Sequence, residues 1–196
     1  MKNKTDKIIW KEFIDEREDA LSFIYHQNVD FLFFYGKKFT TNDHLILDVI
    51  QDLFFYLISK RQTLGETDNI RIYLLKAFRR RLFKQLKKRT KQQELEKDFS
   101  EDPQIVFSIE EKLISDEEAS EKELELKRGM EKLNAKQREV LYYRFTCGFD
   151  YQQICEIMSI SYDTARQLVS RSIQNLKKYL ISRGFIFLFL LKRQKI

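Results

Sequence analysis

The sequence predicts an all-α protein made of two small helical domains, and three observations lead to this fold class. Only five glycines and one proline occur among 196 residues, whereas β-rich and Rossmann folds use these residues in their tight turns. Apolar side chains recur at helical spacing along most of the chain. A strongly acidic stretch with the sole proline, Pro103, separates two basic regions and is expected to be a flexible linker.

The N-terminal region, residues 8–91, is expected to be helical apart from one polar loop at residues 62–69. Asn42 or Asp43 can cap a helix that continues to about Lys60, because either side chain accepts hydrogen bonds from free amides. A long last helix begins near Asn69. The apolar positions at helical spacing in the earlier helices are Phe23, Ile24, Phe31, Leu32, Tyr35, Leu47, Ile50, Leu53, Phe54 and Leu57.

The long last helix has two unlike faces. Leu74, Phe78, Leu82 and Leu86 are spaced four apart and predict a buried stripe. Residues 71–91 contain ten Lys or Arg and no acid, which favours nucleic-acid binding over an ordinary solvated basic face. The candidate DNA contacts here are Asn69, Tyr73, Lys76, Arg80, Lys84 and Lys87.

The preceding helix carries a surface of a different kind. Asp48, Gln51 and Asp52 lie on adjacent turns, with Ile50, Leu53 and Phe54 expected to face inward. An acidic and amide surface suits a basic protein partner better than DNA, although ordinary helix solvation would produce the same pattern.

The C-terminal region has the pattern of a helix-turn-helix. A helix over the LNAKQREVLYYRF segment, with Val140, Leu141 and Phe145 on its apolar side, is broken at residues 147–149. Asp150 then caps a second helix with Ile154, Ile157 and Met158 buried, and Ser161 caps a third after a short turn.

The third helix of this region is expected to be the recognition helix. Ala165, Leu168, Val169, Ile173 and Leu176 face the core by their spacing. The outward positions include donors and acceptors that read base edges in the major groove. These candidate DNA contacts are Tyr162, Thr164, Arg166, Gln167, Ser170 and Arg171, with Asp163 beside them.

The net charge of +6 conceals a strong asymmetry. Residues 94–125 hold thirteen acids and three lysines, a local charge of −10, so the remainder of the chain carries +16. Two basic regions around an acidic segment are typical of a protein that touches a polyanion at two places.

Several function classes find no support in the sequence. The two histidines, His26 and His44, have no cysteine and carboxylate partners at metal-ligand spacing, so no metal and no cofactor are expected. Cys147 and Cys155 lack redox-motif spacing, and no P-loop or nucleophile motif occurs, which argues against an enzyme. With no secretory signal or membrane span found, a reduced cytoplasmic protein is expected.

Both regions resemble the extracytoplasmic-function group of RNA polymerase sigma factors. DVIQDLFFYL at residues 48–57 is similar to the segment that contacts the clamp helices of the polymerase large subunit, and residues 70–89 resemble the helix that engages the minus-ten element. The helix-turn-helix at residues 133–180 is similar to the module that reads the minus-thirty-five element. Asp52 stands where the family usually has Glu, and Phe-Arg-Arg-Arg at residues 78–81 where it usually has an Asn.

The resemblance implies domains, partners and residue roles. Residues 8–91 would be sigma region 2, residues 92–122 the linker and residues 123–181 sigma region 4. Asp48, Gln51 and Asp52 would dock on the polymerase core, and promoter DNA and an anti-sigma factor would be further partners, without any small-molecule substrate. The minus-ten element would be held as separated strand by the basic helix and the 62–69 loop, and the minus-thirty-five element as duplex by the recognition helix.

Two other functions remain open at this point. The chain could be a stand-alone helix-turn-helix regulator that binds operators by itself, or an adaptor whose basic helix binds RNA or an acidic protein. The C-terminal tail, residues 182–196, contains the apolar run GFIFLFLL, which could pack on the last domain, bind a partner or touch a membrane surface.

Overall fold

The computed structural model describes residues 4–94 and 117–184, which form two compact helical units. Every regular element of these residues is helical, so the all-α fold class is confirmed. The linker is described only at its ends: α4 continues to Glu94, and α5 already begins at Glu117, inside the segment expected to be flexible. The apolar run of the tail from Phe185 onward lies outside the described residues.

The N-terminal unit consists of four helices and one short 3-10 turn. They are α1 (Asp6–Ile14), α2 (Glu18–Gly36), α3 (Asp43–Lys60), the 3-10 turn Arg61–Thr63 and α4 (Ile70–Glu94). Asn42 is the N-cap of α3, and its side chain accepts a hydrogen bond from the Leu45 amide at 2.9 Å. Of the two capping residues that the sequence left open, the structure therefore selects Asn42.

The core of the N-terminal unit forms where α2, α3 and α4 pack on one another. Leu74, Phe78 and Leu82 are fully buried, as the four-residue spacing predicts, while Leu86 is half-buried. α2 and α3 approach closely at Gly36, where an added Cβ would lie 2.8 Å from Cγ2 of Ile46. This contact explains why a residue without a side chain ends α2.

One core assignment in this unit is wrong. Leu47 was expected among the inward positions of α3, but it is 50% exposed. Its neighbours one and two turns along the helix are Gln51 and Phe55, which are also exposed. The inward face of α3 is already filled by Ile46, Ile50, Leu53 and Leu57, all of them buried.

The C-terminal unit consists of α5 (Glu117–Glu131), α6 (Ala135–Leu141), a π-helical turn (Tyr142–Thr146), α7 (Tyr151–Met158) and α8 (Tyr162–Ser182). α8 packs on α5 and α6. At Gly129 of α5 an added Cβ would lie 2.7 Å from Cδ1 of Leu176, so glycine lets the two helices approach.

The π-helical turn changes which side chains face the core. Phe145 was expected on the apolar side of its helix, yet it is 60% exposed. A π turn rotates the following side chains by about 100° relative to a continuous α-helix, and such turns cannot be read from apolar spacing. Tyr143 is buried instead, and its hydroxyl donates to the carboxylate of buried Glu139 at 2.7 Å.

Candidate nucleic-acid interface

Local hydrogen bonds fix both the start of α7 and the turn between α7 and α8. The Asp150 side chain accepts from the Gln153 amide, and the Gln153 side chain accepts from the Asp150 amide, which is a complete capping box. Ser159 ends α7 in the left-handed conformation at φ 55°, and Ser161 caps α8 through the Thr164 amide. This three-residue turn presents the first turns of α8 to solvent, as in a helix-turn-helix.

The outward face of α8 is the one that the sequence predicts. Ala165 and Val169 are buried, while Leu168, Ile173 and Leu176 are half-buried. Sequence spacing missed Ser172, which is fully buried and whose hydroxyl donates to the Leu168 carbonyl at 2.6 Å. The exposed candidates are Tyr162, Thr164, Arg166, Gln167, Ser170 and Arg171, with Asp163 beside them.

Two of these exposed residues also hold the turn. The Thr164 hydroxyl shares a hydrogen bond with the Ser161 hydroxyl at 2.8 Å. The ring of Tyr162 lies edge-on to that of Tyr151 in α7, with centroids 5.7 Å apart. The remaining long polar side chains of this face are those of Arg166, Gln167 and Arg171. They carry the donor and acceptor groups that recognise guanine and adenine.

The candidate lysines and arginine of α4 form an exposed row. Lys76, Arg80, Lys84 and Lys87 are exposed and lie on successive turns, opposite the buried Leu74–Phe78–Leu82 stripe. Closely spaced cations on a helix repel one another, and a polyphosphate chain relieves that repulsion. The geometry suits a nucleic-acid backbone.

The other two candidates on α4 take part in the fold. The Asn69 side chain caps the helix by accepting from the Ile72 amide at 3.0 Å. Tyr73 is half-buried, with its ring 4.7 Å from that of Trp10, and burial raises the pKa of its phenol above the usual value.

The acidic surface of α3 lies beside this basic helix. Asp48, Gln51 and Asp52 are exposed, and together with Gln85 and Arg89 of α4 they line a cleft of about 270 Å³. Phe55, on the same helix, is 72% exposed. We call Leu47, Asp48, Gln51, Asp52 and Phe55 the α3 surface. Leu47 and Phe55 were not assigned to this surface from the sequence, because large apolar side chains are usually buried.

The described parts of the chain contain neither a metal site nor a membrane-spanning helix. Among residues 4–94 and 117–184, no three His, Cys, Asp or Glu side chains come together as metal ligands. None of the helices in these ranges is long and apolar enough to cross a bilayer.

Fold and site together define an all-helical protein in which one unit carries a helix-turn-helix and the other a basic helix face beside an acidic surface. Residues 123–176 match the family described as sigma-70, region 4, so the C-terminal unit contains a sigma-70 region 4. No protein of curated function matches the chain.

Two solved structures have the same fold over most of the chain. One is the sigma factor RpoE in complex with the anti-sigma factor NepR from Bartonella quintana, with 18% identity, a TM-score of 0.57 and coverage of 87% of this chain and 97% of that one. The other is CnrH in complex with the cytosolic domain of CnrY, with 14% identity, a TM-score of 0.61 and coverage of 91% and 99%. The resemblance to sigma factors is therefore confirmed, by family in region 4 and by fold over both units.

Proposed function

We propose that this protein is a transcription initiation factor that binds the RNA polymerase core and directs it to specific promoters. The observation that supports this most strongly is the combination, in one chain, of a sigma-70 region 4 with a unit that has both a basic helix and an acidic surface. A repressor that acts alone needs only the first of these. Such a factor performs no covalent chemistry and uses no small-molecule substrate or cofactor.

In this proposal the C-terminal unit, residues 123–181, holds the minus-thirty-five element as duplex. The first turns of α8 enter the major groove, where Arg166, Gln167 and Arg171 contact base edges. Tyr162, Thr164 and Ser170 lie at the same end of the helix and contact the neighbouring backbone. Phosphate contacts set the position on the duplex, and base contacts supply the sequence preference.

The N-terminal unit, residues 8–91, opens the minus-ten element. Lys76, Arg80, Lys84 and Lys87 run along the DNA backbone, and Tyr73, Asn69 and the 62–69 loop hold the separated strand. Capture of an unstacked base offsets part of the few kcal/mol that unstacking costs. Asp48, Gln51 and Asp52 dock on the clamp helices of the polymerase large subunit. The acidic linker, residues 92–122, follows the path that nucleic acid takes through the polymerase.

A further protein partner fits this function. The solved structures with this fold include a sigma factor bound to an anti-sigma factor, and we propose that an anti-sigma factor holds this chain inactive. The site of action would be the cytoplasm, where polymerase and promoter DNA are found.

The proposal is tested by transcription with purified core polymerase and a DNA library whose upstream and downstream promoter elements are randomised. We expect transcripts enriched for one pair of elements only when the protein is added. If the protein binds duplex DNA with nanomolar affinity by itself and never directs initiation, it is a stand-alone regulator and the proposal fails.

A further inference from the structure

The loop between α3 and α4 is attached to α1, a helix far away in sequence. Trp10 of α1 is 2% exposed, and its indole N–H donates to the Gly65 carbonyl at 3.0 Å. This hydrogen bond joins positions 55 residues apart and ends at the middle of the loop. The indole ring also contacts the ring of Tyr73, at 4.7 Å between centroids, so one side chain holds both the loop and the first turns of α4.

Both ends of the same loop are attached to α1 or to the residues that follow it. The Asp6 carboxylate accepts a hydrogen bond at 2.8 Å from the amide of Ile70, the first residue of α4. At the other end, the Gln62 side-chain amide donates to the Ile14 carbonyl at 3.3 Å, and Arg61 pairs with Glu16 at 3.5 Å. The loop is thus held against α1 at its beginning, middle and end.

The loop makes few contacts of its own. Thr67 and Asn69 bond to each other, and the Leu64 amide donates to the Arg61 carbonyl. Gln62, Thr63, Gly65, Glu66 and Asp68 are exposed, and a Cβ added at Gly65 would meet no atom within 4 Å. One face of the loop is therefore open, and α1 supports the other.

We propose that α1 is a positioning element for recognition of the minus-ten strand, and that Trp10 is its principal positioning residue. The inference rests on the proposed function, which assigns strand binding to the 62–69 loop and Tyr73. Ordering a flexible loop at the moment of binding costs conformational free energy that weakens the complex. With the Gly65 carbonyl and the Tyr73 ring held by one indole, the loop and the basic helix keep their relative position before DNA arrives.

The test compares Trp10→Phe with Phe13→Leu in the protein of residues 1–196. Trp10→Phe removes the indole N–H but keeps an aromatic ring against Phe13 and Tyr73. Phe13→Leu is the matched control, because Phe13 packs on Trp10 with ring centroids 5.3 Å apart and makes no hydrogen bond to the loop. For each protein one measures the melting temperature, hydrogen exchange of amides 64–70, affinity for core polymerase, and base preference in transcription from a promoter library randomised at the minus-ten element.

We expect Trp10→Phe to increase hydrogen exchange in the loop and to reduce discrimination among minus-ten bases by about three- to tenfold, the range for loss of one hydrogen bond. Affinity for core polymerase should stay unchanged. Phe13→Leu should lower the melting temperature and leave the base preference intact.

Two results would overturn the inference and leave the proposed function standing. One is a Trp10→Phe protein with the loop exchange and base preference of the original. The other is an equal loss of base preference in both variants, since Trp10 would then act only through packing. If the original protein selects no promoter from the library, the proposed function fails and the inference with it.

Discussion

The guanidinium carbon of Arg81 in α4 lies 4.4 Å from the ring centroid of Tyr56 in α3. Arg81 is half-buried, and burial lowers the pKa of its guanidinium, with the neighbouring charge of Arg80 adding to the effect. The negative charge of Asp52, on the α3 surface, raises the pKa of Arg81 and so opposes this effect. This contact joins the proposed polymerase-docking helix to the proposed DNA-opening helix.

Arg81→Ala is expected to destabilise the N-terminal unit by about 1 kcal/mol, because a partly desolvated cation–π contact contributes about 0.5–2 kcal/mol. Urea unfolding followed by the fluorescence of Trp10 measures this, since Trp10 is the sole tryptophan and lies in that unit. Arg80→Ala is the control, as Arg80 is exposed and should change stability little. Equal destabilisation by both substitutions would contradict the assigned role of the stacking contact.

The double substitution Asp48→Lys with Asp52→Lys is expected to weaken binding to core polymerase by at least about tenfold, because like charges across an interface repel. Fluorescence anisotropy of the labelled protein, titrated with core, measures the affinity. Asp30→Lys provides the control, because Asp30 is an exposed acid on a different helix, α2. Unchanged affinity in the double variant would exclude the α3 surface as the docking site.

Phe55→Ala is expected to reduce core affinity by about tenfold while leaving the free energy of unfolding nearly unchanged. Its ring is 72% exposed in the free protein, so the fold gains little from it, whereas aromatic side chains buried at an interface contribute strongly to binding. Phe34→Ala is the control, because it removes the same kind of ring from a position on α2 that is 55% exposed. The prediction is contradicted if the two variants bind core with the same affinity.

Gln167→Ala is expected to relax base preference at one position of the minus-thirty-five element by about 1–3 kcal/mol, the usual value of one bidentate base contact. Competition binding of holoenzyme to duplexes that vary at each upstream position measures the preference. Lys178→Ala, at the far end of α8, should keep the preference of the original protein. A uniform loss over all sequences would instead assign Gln167 to the phosphate backbone.

Asp150→Ala is expected to lower the stability of the C-terminal unit by about 1 kcal/mol, because it removes the acceptor for the Gln153 amide at the start of α7. Thermal unfolding by circular dichroism at 222 nm measures the loss. Gln152→Ala, an exposed position in the same helix, should have almost no effect. Equal melting temperatures for the original protein and Asp150→Ala would show that the cap does not stabilise α7.

Local chemistry in the sequence was sufficient to predict α3, α4, α7 and α8, the caps of α7 and α8, two alternatives for the cap of α3, and the exposed face of α8. The side chains of Asn42, Asp150 and Ser161 each accept a hydrogen bond from the backbone amide three residues later. Helix capping by these residues therefore depends only on nearby atoms. The outward positions of α8 and the basic row of α4 follow from the helical period, which extends without interruption over both helices. The division into a helix-turn-helix and a second helical region was also visible in spacing and charge.

Tertiary structure decided the features that depend on contacts between distant residues. Tyr73 is half-buried because Trp10 packs on it, and the 62–69 loop is held by hydrogen bonds from α1 that no local pattern reveals. The exposure of Phe145 follows from a π-helical turn, and that of Leu47 from a helix face already filled by other apolar residues. The sequence by itself determined the local hydrogen bonds and the helical faces, because these depend on residues within one or two turns. Packing between distant residues determined which side chains remain exposed.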